Sequence, residues 1–298
     1  MFEADADWRR SNIGHLLFAS SDRFLREKLA SMQAAGFGIG EAQLALLINL
    51  DPEGTRPGEI GKRMNLTKAS VSELTVRSER AGYIARTVDP VDSRARLIAL
   101  TLRGELAQKA IHRAVDRAEA SFFAQIGEPL AQRFRRDFGA YAADHDDLRR
   151  SPEWHSANVG RVLALAARSF VSEVLNIVHG GGHRRIGEAL LSLIRNLELG
   201  GTRLTDLATR AHMTKQSMRE LVDRSEILGI VERAPDAGDK RAKLVRFTSL
   251  GLALLDDMRG AVAAAEARLA DRVGAEFLSE VRTALRTYAG VTTRVSVA

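Results

Sequence analysis

Apolar residues recur along this chain at helical spacing, in long runs broken by two short stretches of strict alternation. Period-3.6 patterning over 8–35 and again over 153–179 predicts a long amphipathic helix in each stretch. A second helix is predicted over 41–49, with Leu44 and Leu47 on one face, and over 188–196, with Leu191 and Ile194 there. A short third segment, PGEIGKRM or LTDLATRA, leads into LTKASVSELTVRSERAG at 66–82 and MTKQSMRELVDRSEILG at 213–229. Past Gly82 and Gly229 the period changes. YIART and RLIALT flank VDPVDS, while IVERA and KLVRFT flank PDAGDK. Ile98 with Leu100, and Val245 with Phe247, alternate at period 2, which predicts two short β-hairpins with Asp, Pro and Gly in their turns. Thr101 and Thr248 are placed to cap a further long helix, and one more helix closes each half.

The halves repeat at a constant offset of 147 residues, which carries Thr67 onto Thr214, Arg56 onto Arg203, Gly82 onto Gly229, Asp92 onto Asp239 and Tyr141 onto Tyr288. A period that long is a duplicated domain rather than a solenoid unit. The expected domains are 1–147 and 148–298, joined near HDDLRRSPEW, where Ser151 and Pro152 read as an N-cap and a first helical position.

Helix, short helix, turn, helix and β-hairpin is the plan of a winged helix-turn-helix. The fourth segment has the design that a helix entering a major groove requires: small or hydrogen-bonding side chains on its N-terminal face. Thr67, Lys68, Ala69, Ser70 and Ser72 meet that need, as do Thr214, Lys215, Gln216, Ser217 and Arg219. Thr67 and Thr214 read as N-caps, and the amide groups beyond them favour phosphate. Val71 and Leu74, or Met218 and Leu221, are the apolar pair that would hold the helix to its own domain. A Ser/Thr/Lys-rich face is also compatible with simple solvation. Its occurrence twice, in register with a basic hairpin, favours DNA.

DPVDSRARLIALTLRG and DAGDKRAKLVRFTSLG resemble the wing signature of the MarR family of bacterial transcription regulators, and the segments upstream of them resemble its recognition helix. The resemblance covers both copies nearly whole. It implies a mainly α fold with small β-hairpin wings: tandem winged helix-turn-helix domains around an interlocked helical dimerisation core. Where the family pairs two chains, this chain resembles such a pair fused, so a monomeric pseudo-dimer is expected. By the same resemblance Arg94 and Arg241 sit at wing tips, with Arg96, Lys240 and Lys243 beside them on the DNA side. Asp92 and Asp239 brace the wings, against Arg77 and Arg224. Those two arginines also lie four residues after Glu73 and Glu220, so helix-surface ion pairs explain them equally well. Ser78 and Ser225 stand where the family has an apolar residue. Each either bonds back to its own helix or leaves room in the core.

Composition adds limits. The 298 residues carry a net charge of +6, with a pI of about 9.9, which permits an anionic partner without naming one. With no cysteine there is no disulfide and no thiolate metal site. His179 and His183 have metal-like spacing, but the intervening GGG breaks the helix that would aim them together, and DHDD at 144–147 reads as solvated charge. No catalytic constellation is evident, so no enzyme and no cofactor is expected. Arg161, Arg168 and Glu173 interrupt the most apolar stretch, and the acidic start is unlike a signal peptide, so no membrane partner and a cytoplasmic location are expected. The family resemblance adds a small aromatic effector. Trp8, Phe18, Phe24, Phe122, Phe123, Trp154 and Phe170 line its pocket or are plain core. The functional reading is a ligand-responsive regulator binding specific double-stranded DNA. The competing reading is a tandem winged-helix scaffold for proteins, or a sensor without specific DNA binding.

Overall fold

The computed structural model describes residues 8–143 and 158–291, apart from 212 and 237. The expected joint at 147/148, Ser151, Pro152, Trp154 and the DHDD run lie outside the described residues. Helices α1 (Trp8–Ser11), α2 (Ile13–Ala34), α3 (Glu41–Ile48), α4 (Pro57–Met64) and α5 (Lys68–Arg80) precede strands β1 (Ile84–Val88) and β2 (Arg96–Leu100). Helices α6 (Leu102–Ile126) and α7 (Glu128–Ala143) follow. The order then recurs as α8 (Val159–Gly180), α9 (Glu188–Asn196), β3 (Thr202–Arg203), α10 (Leu204–Arg210) and α11 (Lys215–Ile227). Strands β4 (Val231–Asp236) and β5 (Asp239–Phe247), then α12 (Ser249–Val273) and α13 (Ala275–Ala289), complete it.

Contacts divide the chain into two compact units. The first comprises Leu17–Ala166 and Thr283–Val291; the second holds the described residues of Met1–Leu16 together with Ala167–Arg282. Each unit therefore takes a terminal segment from the far end of the sequence.

In the first unit, Leu44 and Leu47 of α3, Ile60 of α4, Val71 and Leu74 of α5, and Ile111 of α6 share one buried core with Tyr83 and Ile98. The wing pairs antiparallel, Ile84 with Leu100 and Val88 with Arg96. A second apolar cluster joins α6, α7 and the end of α13: Tyr288 meets Phe122 edge-on at 4.9 Å, and Phe134 stacks on Phe138 at 4.5 Å. The Arg23 guanidinium covers the Tyr288 ring at 4.4 Å and also donates to the Tyr288 carbonyl. Burial raises the Tyr288 phenol well above its ordinary range. Phe24, Phe122 and Phe170 are fully buried core side chains.

The second unit repeats the lobe with a longer wing. Strand β5 pairs with β4, Val231 opposite Phe247 and Pro235 opposite Lys243, and also with β3, Thr202 opposite Val245. The first unit has only the bridge Thr55 to Ile98 at the corresponding place.

Two glycine pairs explain parts of the repeat. A methyl at Gly104 would strike the Tyr83 carbonyl, and one at Gly251 the Ile230 carbonyl, because α6 and α12 each start against the residue just before a wing strand. On the long helices, a methyl at Gly160 would overlap the Phe24 ring inside the first unit, and one at Gly14 the Phe170 ring inside the second.

The helix expected over 8–35 is broken at Asn12. Its Oδ1 accepts from the His15 amide at 2.9 Å and restarts the helix. Glu266 Oε1 accepts from the Ile13 amide at 2.7 Å, and Arg282 holds that carboxylate at 3.0 Å. The first unit repeats this start: Asn158 accepts from the Arg161 amide at 2.9 Å, and Glu119 from the Val159 amide at 2.9 Å. Helix α8 is long and apolar enough to cross a membrane by length and composition, but Val162, Leu163, Ala166, Phe170 and Val174 are buried in the protein.

Candidate nucleic-acid interface

The two polar helices start alike. Thr67 Oγ1 accepts from the Ser70 amide at 3.2 Å and lies 2.9 Å from Ser70 Oγ. Thr214 does the same for Ser217, at 3.0 and 2.8 Å. The apolar face of each helix is buried at Val71 and Leu74, and at Met218 and Leu221. That orientation leaves Lys68, Ser70 and Ser72 of α5, and Lys215, Gln216 and Arg219 of α11, exposed; Ser217 is half-buried. Gln216 Nε2 donates to Glu220 Oε1 at 3.3 Å, a weak tether along the helix. Both helices end on a glycine in the left-handed region, with φ of 75° at Gly82 and 70° at Gly229. The Ser78 and Ser225 carbonyls accept from the amides of Tyr83 and Ile230 there.

The serines themselves differ. Ser225 Oγ donates to the Leu221 carbonyl at 2.7 Å, so it bonds back to its helix. Ser78 Oγ is buried and has no hydrogen-bond partner among the described residues.

Among the described residues, the Arg–Asp pairs at the wings are made by Asp89 and Asp236. Asp89 is 4% exposed; its Oδ2 takes Arg56 Nε at 2.7 Å and its Oδ1 the Val91 amide at 2.9 Å. Asp236 repeats the arrangement, with Arg203 at 2.7 Å and the Gly238 amide at 2.9 Å. The amide bond and the guanidinium lower the Asp89 carboxyl, and the Arg203 bond then the Gly238 amide lower Asp236. Asp92 instead accepts from the Arg94 amide at 3.1 Å, so it shapes the tip of the turn. The Asp239, Lys240 and Arg241 side chains lie outside the described ones. The bracing residues were visible in the repeat, since offset 147 maps Arg56 onto Arg203 and Asp89 onto Asp236.

Arg94 and Arg96 are exposed on the first wing and Lys243 on the second. Among the described residues none of the three has an ion-pair partner, nor do Arg77 and Arg224, so neither account of those two arginines gains a contact. Arg233 of β4 pairs with Asp223 at 2.6 Å and with Glu226. Arg86 pairs likewise with Glu79 at 3.3 Å. A depression of about 260 Å³ between α4, α5 and the first wing is lined by Pro57, Gly58, Lys68, Ser72 and Arg86 among others. It brings Lys68 and Ser72 beside the start of α4. His179 Nε2 lies 2.7 Å from the Ile186 carbonyl, and His183 Nε2 lies 2.8 Å from Asp257, so the two rings serve separate contacts.

The stretch from α3 into the first wing is what comparison with known proteins picks out. Residues 37–95 match the MarR family model. This match supports a MarR-type winged-helix regulator. The uncharacterized HTH-type transcriptional regulator YcgE of Bacillus subtilis (strain 168) is 38% identical over 65 residues, 22% of this chain. The chain spans 42% of the length of that curated relative. Among solved structures, YusO from Bacillus subtilis is 26% identical, covering 35% of this chain and 72% of its own, with a TM-score of 0.30. CouR from Rhodococcus jostii RHA1, bound to p-coumaroyl-CoA, is 25% identical, covering 42% of this chain and 87% of its own, with a TM-score of 0.36.

Proposed function

We propose that this protein is a MarR-type transcription regulator that binds specific double-stranded DNA as a single-chain pseudo-dimer in the cytoplasm, and is not an enzyme. The observation that carries the reading is the pair of threonine-capped helices whose apolar faces are buried and whose polar N-terminal faces are free, each beside a wing braced by an Arg–Asp pair. Such a helix presents side chains to base edges and amide groups to phosphate. The DNA-contacting set is Thr67, Lys68, Ser70, Ser72, Arg77, Arg94 and Arg96 in copy 1 (1–147). In copy 2 (148–298) it is Thr214, Lys215, Gln216, Ser217, Arg219, Arg224, Lys240, Arg241 and Lys243. Two domains interlocked within one chain are supported by the terminal segments that each unit takes from the far end, and by the paired Gly160–Phe24 and Gly14–Phe170 approaches. Responsiveness to a small aromatic effector belongs to the reading as what the family resemblance implies.

The two helices are not equivalent. Gln216 and Arg219 match adenine and guanine bidentately, whereas Ala69 and Ser72 offer a methyl and a single hydroxyl. The operator is therefore asymmetric, one half-site read stringently by the second copy and the other held through backbone and shape. Selection from random duplexes tests this. One information-rich half-site beside a weak one is expected; a perfect palindrome with equal halves would overturn the asymmetry, and no enrichment at all would overturn specific DNA binding.

A further inference from the structure

In the second unit, the loop joining α8 to α9, the end of α11 and the first turns of α12 line a half-open cavity of about 290 Å³. Its floor is apolar: Ile186 and Ile230 are each 4% exposed and Leu254 2%, with the more open Leu250 at the side. Its mouth is cationic. Arg184 and Arg185 are exposed there, and among the described residues neither has an ion-pair partner. The nearby carboxylate of Asp257 is engaged by His183 at 2.8 Å.

The first unit has something else at this place. Offset 147 takes Arg184, Ile230 and Leu250 back to Phe37, Tyr83 and Arg103. Tyr83 is 2% exposed, its ring lies 6.5 Å from that of Phe37, and the Arg103 guanidinium stands 5.1 Å from it. An aromatic plug under a cation therefore fills the first copy's position. In the second copy the tyrosine ring is replaced by isoleucine, the phenylalanine by an arginine at the mouth, and the arginine by leucine at the wall. Together these replacements open an apolar floor and set positive charge at its entrance.

We infer that this cavity is a binding site for one small amphipathic carboxylate per chain, its apolar body on Ile186, Ile230, Leu250 and Leu254 and its carboxylate on Arg184 and Arg185. The volume lies at the small end of the range for small-molecule sites, and arginine forks match carboxylate geometry. Leu228 and Ile230 bracket Gly229, the joint between α11 and β4, so occupancy bears on the helix assigned to DNA. That consequence rests on the proposed DNA function; binding itself does not.

Isothermal titration of the full chain with octanoate, in the absence of DNA, tests the site. One octanoate per chain is expected, with octanol bound at least about tenfold more weakly, since one lost charge-assisted hydrogen bond accounts for that factor. Arg184→Gln with Arg185→Gln should weaken octanoate by about tenfold or more on the same ground. Ile230→Tyr, which restores the first copy's plug, should abolish binding while circular dichroism stays native. Absence of saturable binding at millimolar octanoate overturns the inference. So does a stoichiometry of two, equal affinity for octanol, or unchanged affinity in the arginine variant. If Ile230→Tyr fails to fold, the arginine variant decides, because both positions are on the surface. Octanoate binding with no effect on DNA affinity would leave the site standing and remove only its link to the DNA-binding helix.

Discussion

Replacing Gly160 by alanine tests how tightly the long helices are packed. In an open helix this substitution stabilises, by roughly 0.5–1 kcal/mol, because alanine restricts the unfolded chain and favours helix. Gly260, within α12, supplies that reference: a methyl there has nothing within 4 Å. At Gly160 the methyl overlaps the ring of Phe24, itself 1% exposed. Overpacking of this kind costs about 1–3 kcal/mol. Subtracting the helix gain leaves a net loss of up to roughly 2.5 kcal/mol at Gly160 against a gain at Gly260. The sign, not the size, is decisive. Urea titrations followed by circular dichroism should move the midpoint down for Gly160→Ala and up for Gly260→Ala. Adding Phe24→Leu to Gly160→Ala should cost less than the two single losses summed, since the smaller side chain relieves the overlap. If Gly160→Ala stabilises as Gly260→Ala does, the close approach is wrong.

Other outcomes follow from particular residues. Arg219→Ala should relax base preference in one half-site, costing about 1–3 kcal/mol, and an unchanged selected sequence would assign Arg219 to phosphate. Arg94→Ala should weaken all sequences alike and reduce the salt slope by about 1, measured by fluorescence anisotropy; an unaltered slope removes that arginine from the interface. Light scattering should give a mass near 32.6 kDa at micromolar concentration, and a stable mass twice that would reject the single-chain pseudo-dimer. Burial, then Arg195 and Arg10, lowers His15 from 6.5 to about 4. The unfolded chain thus binds its proton first as pH falls, so His15 favours the fold fully above pH 6.5 and loses that contribution on the way down to about 4. The loss is roughly 3 kcal/mol, and His15→Gln should flatten the stability profile in that window.

Much of this molecule is written in local sequence. Threonine caps, left-handed glycines after α5 and α11, and period-2 strands all depend on neighbours within a few residues, and each appears where the sequence places it. The offset of 147 marks Arg56 with Arg203 and Asp89 with Asp236 as repeated positions, but not that the two kinds of residue pair. Asp89 and Asp92 are equivalent as turn residues, and only the path of the hairpin decides that Asp89 turns in to meet Arg56 while Asp92 stays at the tip. The same holds for Arg233 of β4, whose partners Asp223 and Glu226 are brought to it by α11. Ser78 and Ser225 share one place in the repeat, yet only Ser225 bonds back to its helix, because a hydroxyl rotor answers to the packing around it. The buried aromatic rings, the exchange of terminal segments and the cavity of the second copy depend on side chains far apart in sequence. Periodicity fixes which face of a helix is buried; what covers that face is decided only when the chain has closed on itself.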